Sequence, residues 1–267
     1  PGTEFITRPL VLQRANVRLT CDPGVVLLAR RWFFNATGAS LLTVQNTANF
    51  TLSKGCTLRM WRADYANPKW YHKAEWRMAL SILTVSHVLI EDVTVELSGG
   101  DGIYLGAQCN HNVTIRRVVS RDNYRQGMSV ICVDGLVVED TVFEGTKGTA
   151  PQCGVDFEPD VATQQLTNIV FRNNTFRNNS GCNLVVTSYA LSANTAKQTM
   201  TFVDSVCDGT TGFGVELNVP HHGAAGSFIV FDGLHVRNSV QAGLYLDSKH
   251  LSPPMVFRRT TLRDVAT

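Results

Sequence analysis

Six segments of this chain repeat one pattern, a glycine followed by an apolar-any-apolar triplet: Gly102-Ile103-Tyr104-Leu105, Gly127-Met128-Ser129-Val130, Gly154-Val155-Asp156-Phe157, Gly181-Cys182-Asn183-Leu184, Gly214-Val215-Glu216-Leu217 and Gly243-Leu244-Tyr245-Leu246. The glycines are 25 to 33 residues apart. Such self-similarity is that of a solenoid, in which one coil buries its apolar face only by stacking on the next. A second ladder alternates apolar residues between these segments: Val88/Ile90, Val113/Ile115, Leu136/Val138, Ile169/Phe171, Met200/Phe202, Ile229/Phe231 and Met255/Phe257. Upstream, Val17/Leu19 and Phe50/Leu52 keep the same phase. Alternation at period two means strands with one buried face. The two ladders predict an all-β chain, one domain over residues 1–267 with about nine coils.

Composition agrees: 44% of residues are hydrophobic, only 17% are charged and 21 are glycine, a balance that favours short strands joined by polar turns. A formal charge of +2 gives no reason to expect nucleic acid as a partner, and no apolar run is long enough to span a bilayer. The chain opens at Pro1 without a signal-peptide pattern and stops at Thr267 inside an apparent coil, which reads as a processed product truncated at its C-terminus. Seven cysteines and five N-glycosylation sequons, at Asn35, Asn49, Asn112, Asn173 and Asn178, point to a secreted or cell-surface protein carrying disulfides and N-linked glycans. Cys21–Cys56 and Cys132–Cys153 are candidate bridges between coils, Cys182 reads as a small buried hydrophobe, and no spacing suggests zinc.

The glycine-led ladder, the strand Asn112-Val113-Thr114-Ile115 and the opening Asn16-Val17-Arg18-Leu19 followed by Pro23-Gly24-Val25-Val26-Leu27 resemble the parallel β-helix proteins of the pectin-lyase-like superfamily. The resemblance implies a single-stranded right-handed parallel β-helix that accommodates an extended polysaccharide on its surface. Asp122-Asn123-Tyr124-Arg125-Gln126-Gly127 is also similar to the Asn-x-Arg-x-Gly turn of β-helical mannuronan C5-epimerases, and Gly154-Val155-Asp156-Phe157-Glu158-Pro159 loosely resembles their acidic Asp-Pro-His-Glu strand. This chain has no His between those acids and its Pro is displaced, so the epimerase's catalytic His and Tyr have no counterparts to carry over.

In each triplet the apolar members point inwards and the residue between them outwards. The outward column therefore reads Tyr104, Ser129, Asp156, Asn183, Glu216, Tyr245, with a second column of Gly106, Ile131, Glu158, Val185, Asn218, Asp247 two residues on. By strand geometry Asp156 and Glu158 should lie roughly 7 Å apart, and Asp156 and Glu216 roughly 10 Å. These values straddle the roughly 6.5–9.5 Å that leaves room for water between the acid and base of an inverting glycosidase. Clustered carboxylates raise one another's proton affinity, so one stays protonated as the acid while its neighbour activates water. Asp156, Glu158 and Glu216 are the candidate catalytic residues. The same cluster would suit calcium, a hard cation, as in several lyases of the superfamily it resembles, although no dedicated metal ligands are evident.

The repeat is interrupted between residues 61 and 77, WRADYANPKWYHKAEWR, and long ordered insertions in compact folds usually serve function. Trp70, Tyr71, His72, Glu75, Trp76 and Arg77 of this loop, with Tyr104 and Tyr245 of the outward column, are candidate sugar contacts, aromatic rings for sugar faces and polar groups for hydroxyls. Arg125 is placed to reach a substrate carboxylate or to hold an acid. Asp101 serves a turn as readily as it would serve catalysis, and His221-His222 sit in a loop near Glu216. Three functions fit: an inverting glycoside hydrolase, a polysaccharide lyase or C5-epimerase acting on a uronate polymer, or a non-catalytic surface scaffold or glycan-binding module.

Overall fold

A computed structural model describes residues 2–219, 224–247 and 254–266. His221 and His222 lie outside these residues. Each coil carries three short strands, all paired in parallel with their counterparts one coil away. The coil turns at single residues in the left-handed backbone region. One corner is formed by Asp92, Arg117, Asp140, Asn173, Asp204, Gly233 and Arg259, another by Leu97, Asp122, Gly145, Asn178, Gly209, Asn238 and Asp264. Asn, Asp and Gly tolerate that conformation best, which explains why they recur at coil spacing. Four of the five sequon asparagines, Asn49, Asn112, Asn173 and Asn178, are corner residues with positive φ. Their identity thus has a backbone cause, and Asn49 and Asn173 use their side-chain amides to bond Asn16 and Asp140 one coil back.

The inward alternate residues form one continuous core. Phenylalanines stack coil upon coil within it, Phe143 on Phe176 and Phe202 on Phe231 on Phe257, with ring centroids 4.6 to 5.5 Å apart. Buried asparagines handle the polar backbone where the coil bends. The Oδ1 atoms of Asn110, Asn123, Asn174 and Asn179 accept N–H groups of Val85, Ser98, Thr141 and Thr146, each on the preceding coil. A buried amide left without such a partner would cost about 1–3 kcal/mol.

One face holds the glycine-led strands. Its rungs run from Leu10–Leu12 and the first parts of Leu42–Ser53 and Leu80–Glu91 through Ile103–Gly106, Met128–Val130, Val155–Phe157, Leu184–Thr187 and Phe213–Asn218 to Ala242–Leu246. These nine rungs are close to the expected coil number. The register aligns Tyr104, Ser129, Asp156, Val185, Glu216 and Tyr245. Val185 replaces the expected Asn183, and Thr187 rather than Val185 lies beside Asn218. The glycine column explains the slip: a Cβ at Gly127 would strike the carbonyl of Gly154, and Gly154 in turn lies against the carbonyl of Asn183. Asn183 therefore occupies the glycine rung of its coil, its side chain held by Asn179 Nδ2 at 2.9 Å, while Gly181 lies two residues too early.

The disulfides are Cys21–Cys56, Cys109–Cys132 and Cys153–Cys182. Cys132 thus does not pair with Cys153, and Cys182 is not a free buried thiol; the parallel register places each of these cysteines beside a partner exactly one coil away. Cys207 remains, buried and unpaired, at an inward position of Val206–Thr210. Among the described residues no helix is long and apolar enough to cross a membrane.

Candidate active site

The strand Val155–Phe157 places Asp156 in the middle of the glycine-led face. The inserted loop shapes one wall beside it. Its short helix Arg62–Tyr65 buries Tyr65, and Gly100 passes so close to the carbonyl of Glu75 that any Cβ there would clash. This close approach shuts the turn holding Asp101 away from solvent, leaving that residue with no exposed surface. Arg77 and Tyr71 belong to the packing of the loop rather than to its surface. The Arg77 side chain is buried and donates to the carbonyls of Phe34, Asn35 and His72. Tyr71 is 3% exposed, stacks on Trp32 and accepts the Trp32 N–H. Neither offers its side chain to a sugar. His72 is exposed, and Trp70, half exposed, meets Trp32 edge-on at 5.1 Å.

Beneath this wall Arg125 gathers acids. Its Nη2 lies 3.2 Å from Glu158, its Nη1 3.6 Å from Asp101 and its Nε 3.8 Å from Glu75. Glu75 is also reached by the Thr149 hydroxyl at 3.4 Å. Asp101 accepts the Ser129 hydroxyl at 2.8 Å, and Asp156 accepts Gln126 Nε2 at 2.7 Å. Each of the two buried aspartates has one oxygen, Oδ1, with no donor. Burial pushes the Asp101 carboxyl up to about 7, against the pull of Arg125 and Ser129. Asp156 is raised well above the ordinary carboxyl range, first by burial and then by the charge of nearby Glu158, against the pull of Arg125. A proton on Asp156 thus turns an orphaned oxygen into a donor to its neighbour. Tyr104, one coil before Ser129, has its hydroxyl pushed up to about 12 by burial and by nearby Asp160 and Asp101.

The Glu158 N–H bonds the Val130 carbonyl on the preceding rung at 3.1 Å, and its carboxylate reaches Arg125. Glu216 is the more distant acid, two rungs along with Val185 between. Its backbone is therefore about 9.6 Å from that of Asp156. Asn218 Nδ2 holds one Glu216 oxygen at 2.9 Å.

Further sites line the face on either side. Trp76 and Tyr104, with Ser40, Gln45, Met78 and Ser81, line a groove of about 330 Å³. At the other end Tyr245, 40% exposed, stacks on Phe213 at 4.6 Å. The structure therefore brings Asp156, Glu158, Arg125, Glu75 and Tyr104 together, and sets Glu216, Tyr245 and Trp76 along the same face. Ser129 and Gln126, which hold the two buried aspartates, were not singled out by sequence; Ser129's place in the outward column and Gln126's place beside Arg125 were the available signals. No three His, Cys, Asp or Glu side chains among the described residues converge to hold a metal ion. The centre of the acid cluster is filled by the Arg125 guanidinium.

The sequence matches the family described as "Right handed beta helix region" over residues 78–252. The Bacillus subtilis (strain 168) protein YclG is 31% identical over 189 residues, or 63% of this chain and 32% of that protein. The chain thus spans about a third of that relative's length. An alginate lyase from Paenibacillus sp. str. FPU-7 superposes with a TM-score of 0.51 over 97% of this chain and 90% of the lyase, at 11% identity, and at that identity the likeness is one of fold. The pectate lyase Pel9A aligns over 98% of this chain and 80% of its own with a TM-score of 0.48 and 12% identity.

Proposed function

Because the chain belongs to the right-handed β-helix family, whose exposed strand face suits an extended polymer, we propose that it is a secreted or surface-bound glycoside hydrolase of an extracellular polysaccharide. Three disulfides fit an oxidising compartment. The observation that carries the reading is Asp156, a buried carboxyl with one oxygen unpartnered, set on the glycine-led face beside the Arg125–Glu158 pair. Asp156, its proton affinity raised by burial and by the charge of Glu158, serves as the general acid that delivers a proton to the leaving glycosidic oxygen. Glu216, its second oxygen free of Asn218, acts as the base that takes a proton from water. The spacing of about 9.6 Å between their backbones is compatible with attack from the opposite side of the ring, and hence with inversion.

Arg125, the cation beside Asp156 among the described residues, is already bonded to carboxylates rather than free to neutralise a uronate in the manner a lyase or epimerase requires. The fold alone does not distinguish a glycan-binding module from an enzyme; turnover does. The test is release of reducing ends from a panel of plant, algal and bacterial polysaccharides, with ultraviolet absorbance followed in parallel. New reducing ends that vanish with Asp156→Asn and with Glu216→Gln support the hydrolase. An unsaturated, ultraviolet-absorbing product, or undiminished activity in Asp156→Asn, overturns it.

A further inference from the structure

The charge of the glycine-led face says which polymers it takes. We infer that the substrate of the proposed hydrolase is an uncharged polysaccharide, lying along the solenoid axis between two aromatic shelves, and not a polyuronate. The inference rests on the active-site reading and adds to it the class of substrate.

Among the described strand residues of this face, from Leu10–Leu12 to Ala242–Leu246, there is no lysine or arginine. Acids are present: Asp156 and Glu216 within the strands, and Glu158 and Asp247 just after them. The Arg125 guanidinium at the edge is 14% exposed and already faces Asp101, Glu75 and Glu158. A uronate carboxylate laid here would meet Glu158, Glu216 and Asp247 and, among the described strand residues of this face, no lysine or arginine to pair with. Like charges brought together under partial burial repel more strongly than in open water.

The two ends of the face supply what an uncharged chain needs. The Trp76–Tyr104 groove and the Phe213–Tyr245 stack present ring faces for the apolar C–H surface of a pyranose. Tyr104 and Tyr245 are five rungs apart in the register, about 24 Å by strand spacing. The acids lie between them. A polymer bridging both shelves must therefore cross Asp156 and Glu216, which puts the bond to be cut at the acid centre.

The experiment measures retention of the intact protein by immobilised polymers, uncharged (xylan, mannan, galactan and mixed-linkage glucan) and carboxylated (polygalacturonate and alginate), between about 20 and 300 mM salt. Reducing-end release is assayed on the same polymers. The expected result is at least about tenfold tighter retention by one uncharged polymer than by either polyuronate at low salt, changing less than about twofold as salt rises. Trp76→Ala and Tyr245→Ala should each weaken that retention by about fivefold or more. Retention by no uncharged polymer, or a polyuronate bound as tightly, overturns the inference; full retention by both aromatic variants overturns the axial path. The two readings fail separately: cleavage of a polyuronate refutes the substrate class and leaves the hydrolase standing, whereas uncharged polymers that are bound but never cut refute the hydrolase alone.

Discussion

Carboxylates on the glycine-led face and carboxylates on the other two faces live under different rules. Away from the glycine-led face, acids meet arginines one coil over: Glu91 with Arg116, Glu96 with Arg121, Glu139 with Arg172, Asp208 with Arg237 and Asp232 with Arg259, at 2.7 to 2.9 Å. These ladders are mostly exposed and balance along the solenoid. At the recess one arginine serves Asp101, Glu75 and Glu158, with Asp156 buried alongside. Stacking opposite charges across parallel strands stabilises a sheet, whereas stacking like charges destabilises it. The difference separates acids kept for architecture from acids kept despite it.

Removing the buried proton carrier gives the largest expected effect. Asp156→Asn should lower polysaccharide turnover at least about 100-fold while leaving the thermal midpoint unchanged or raised, because a strained ionisable group is lost. Glu139→Gln on the balanced face should leave turnover unaltered. Next comes the hub: Arg125→Met strands the buried Asp101 beside buried Asp156 and should cost on the order of 3–5 kcal/mol in denaturant unfolding. The equivalent cut in the exposed ladder, Arg237→Met, should cost about 1 kcal/mol or less. If the two losses matched, the two sets of acids would not differ as described.

A smaller effect is written in pH. The Asp101 carboxyl, raised to about 7 in the folded protein and ionising near 3.9 when unfolded, holds more protons folded than unfolded between those values. Stability should therefore fall as pH rises from about 4 to 7 and level off above that. Asp101→Asn should flatten this part of the curve, and an unchanged slope in the variant would assign the protons elsewhere. The smallest effect concerns the corner asparagines. Asn173→Asp keeps the left-handed corner but loses the amide bond to Asp140 and sets two acids together, and should cost about 0.5–1 kcal/mol by urea unfolding.

Much of the fold was readable from periodicity, because a period of two recurs in nine segments and a glycine-led triplet in six, and both are local signals. Tyr104, Ser129, Asp156, Glu216 and Tyr245 fell into one column on that basis alone. The column failed at Asn183, where an asparagine fills a glycine rung and a glycine outside the column imitates it. The site was less legible, since its chemistry depends on what the chain does between strands. The pairing of Arg125 with Glu158, the cover that Glu75 and Gly100 place over Asp101, and the burial of Arg77 and Tyr71 beneath the insertion are contacts across long sequence separations. The sequons illustrate the converse: a motif legible in sequence proved to coincide with a backbone requirement at four corners, and whether those exposed asparagines also carry glycans is a separate property.

The central claim is that Asp156 holds a proton at a pH where an ordinary aspartate is ionised. Infrared difference titration in the Asp101→Asn background reads it directly, since the carboxyl stretch of a protonated acid is separate from the carboxylate bands. A protonated-carboxyl band that persists at about pH 6 and disappears when Asp156→Asn is added is the expected result. A spectrum with every carboxyl ionised at that pH would contradict it.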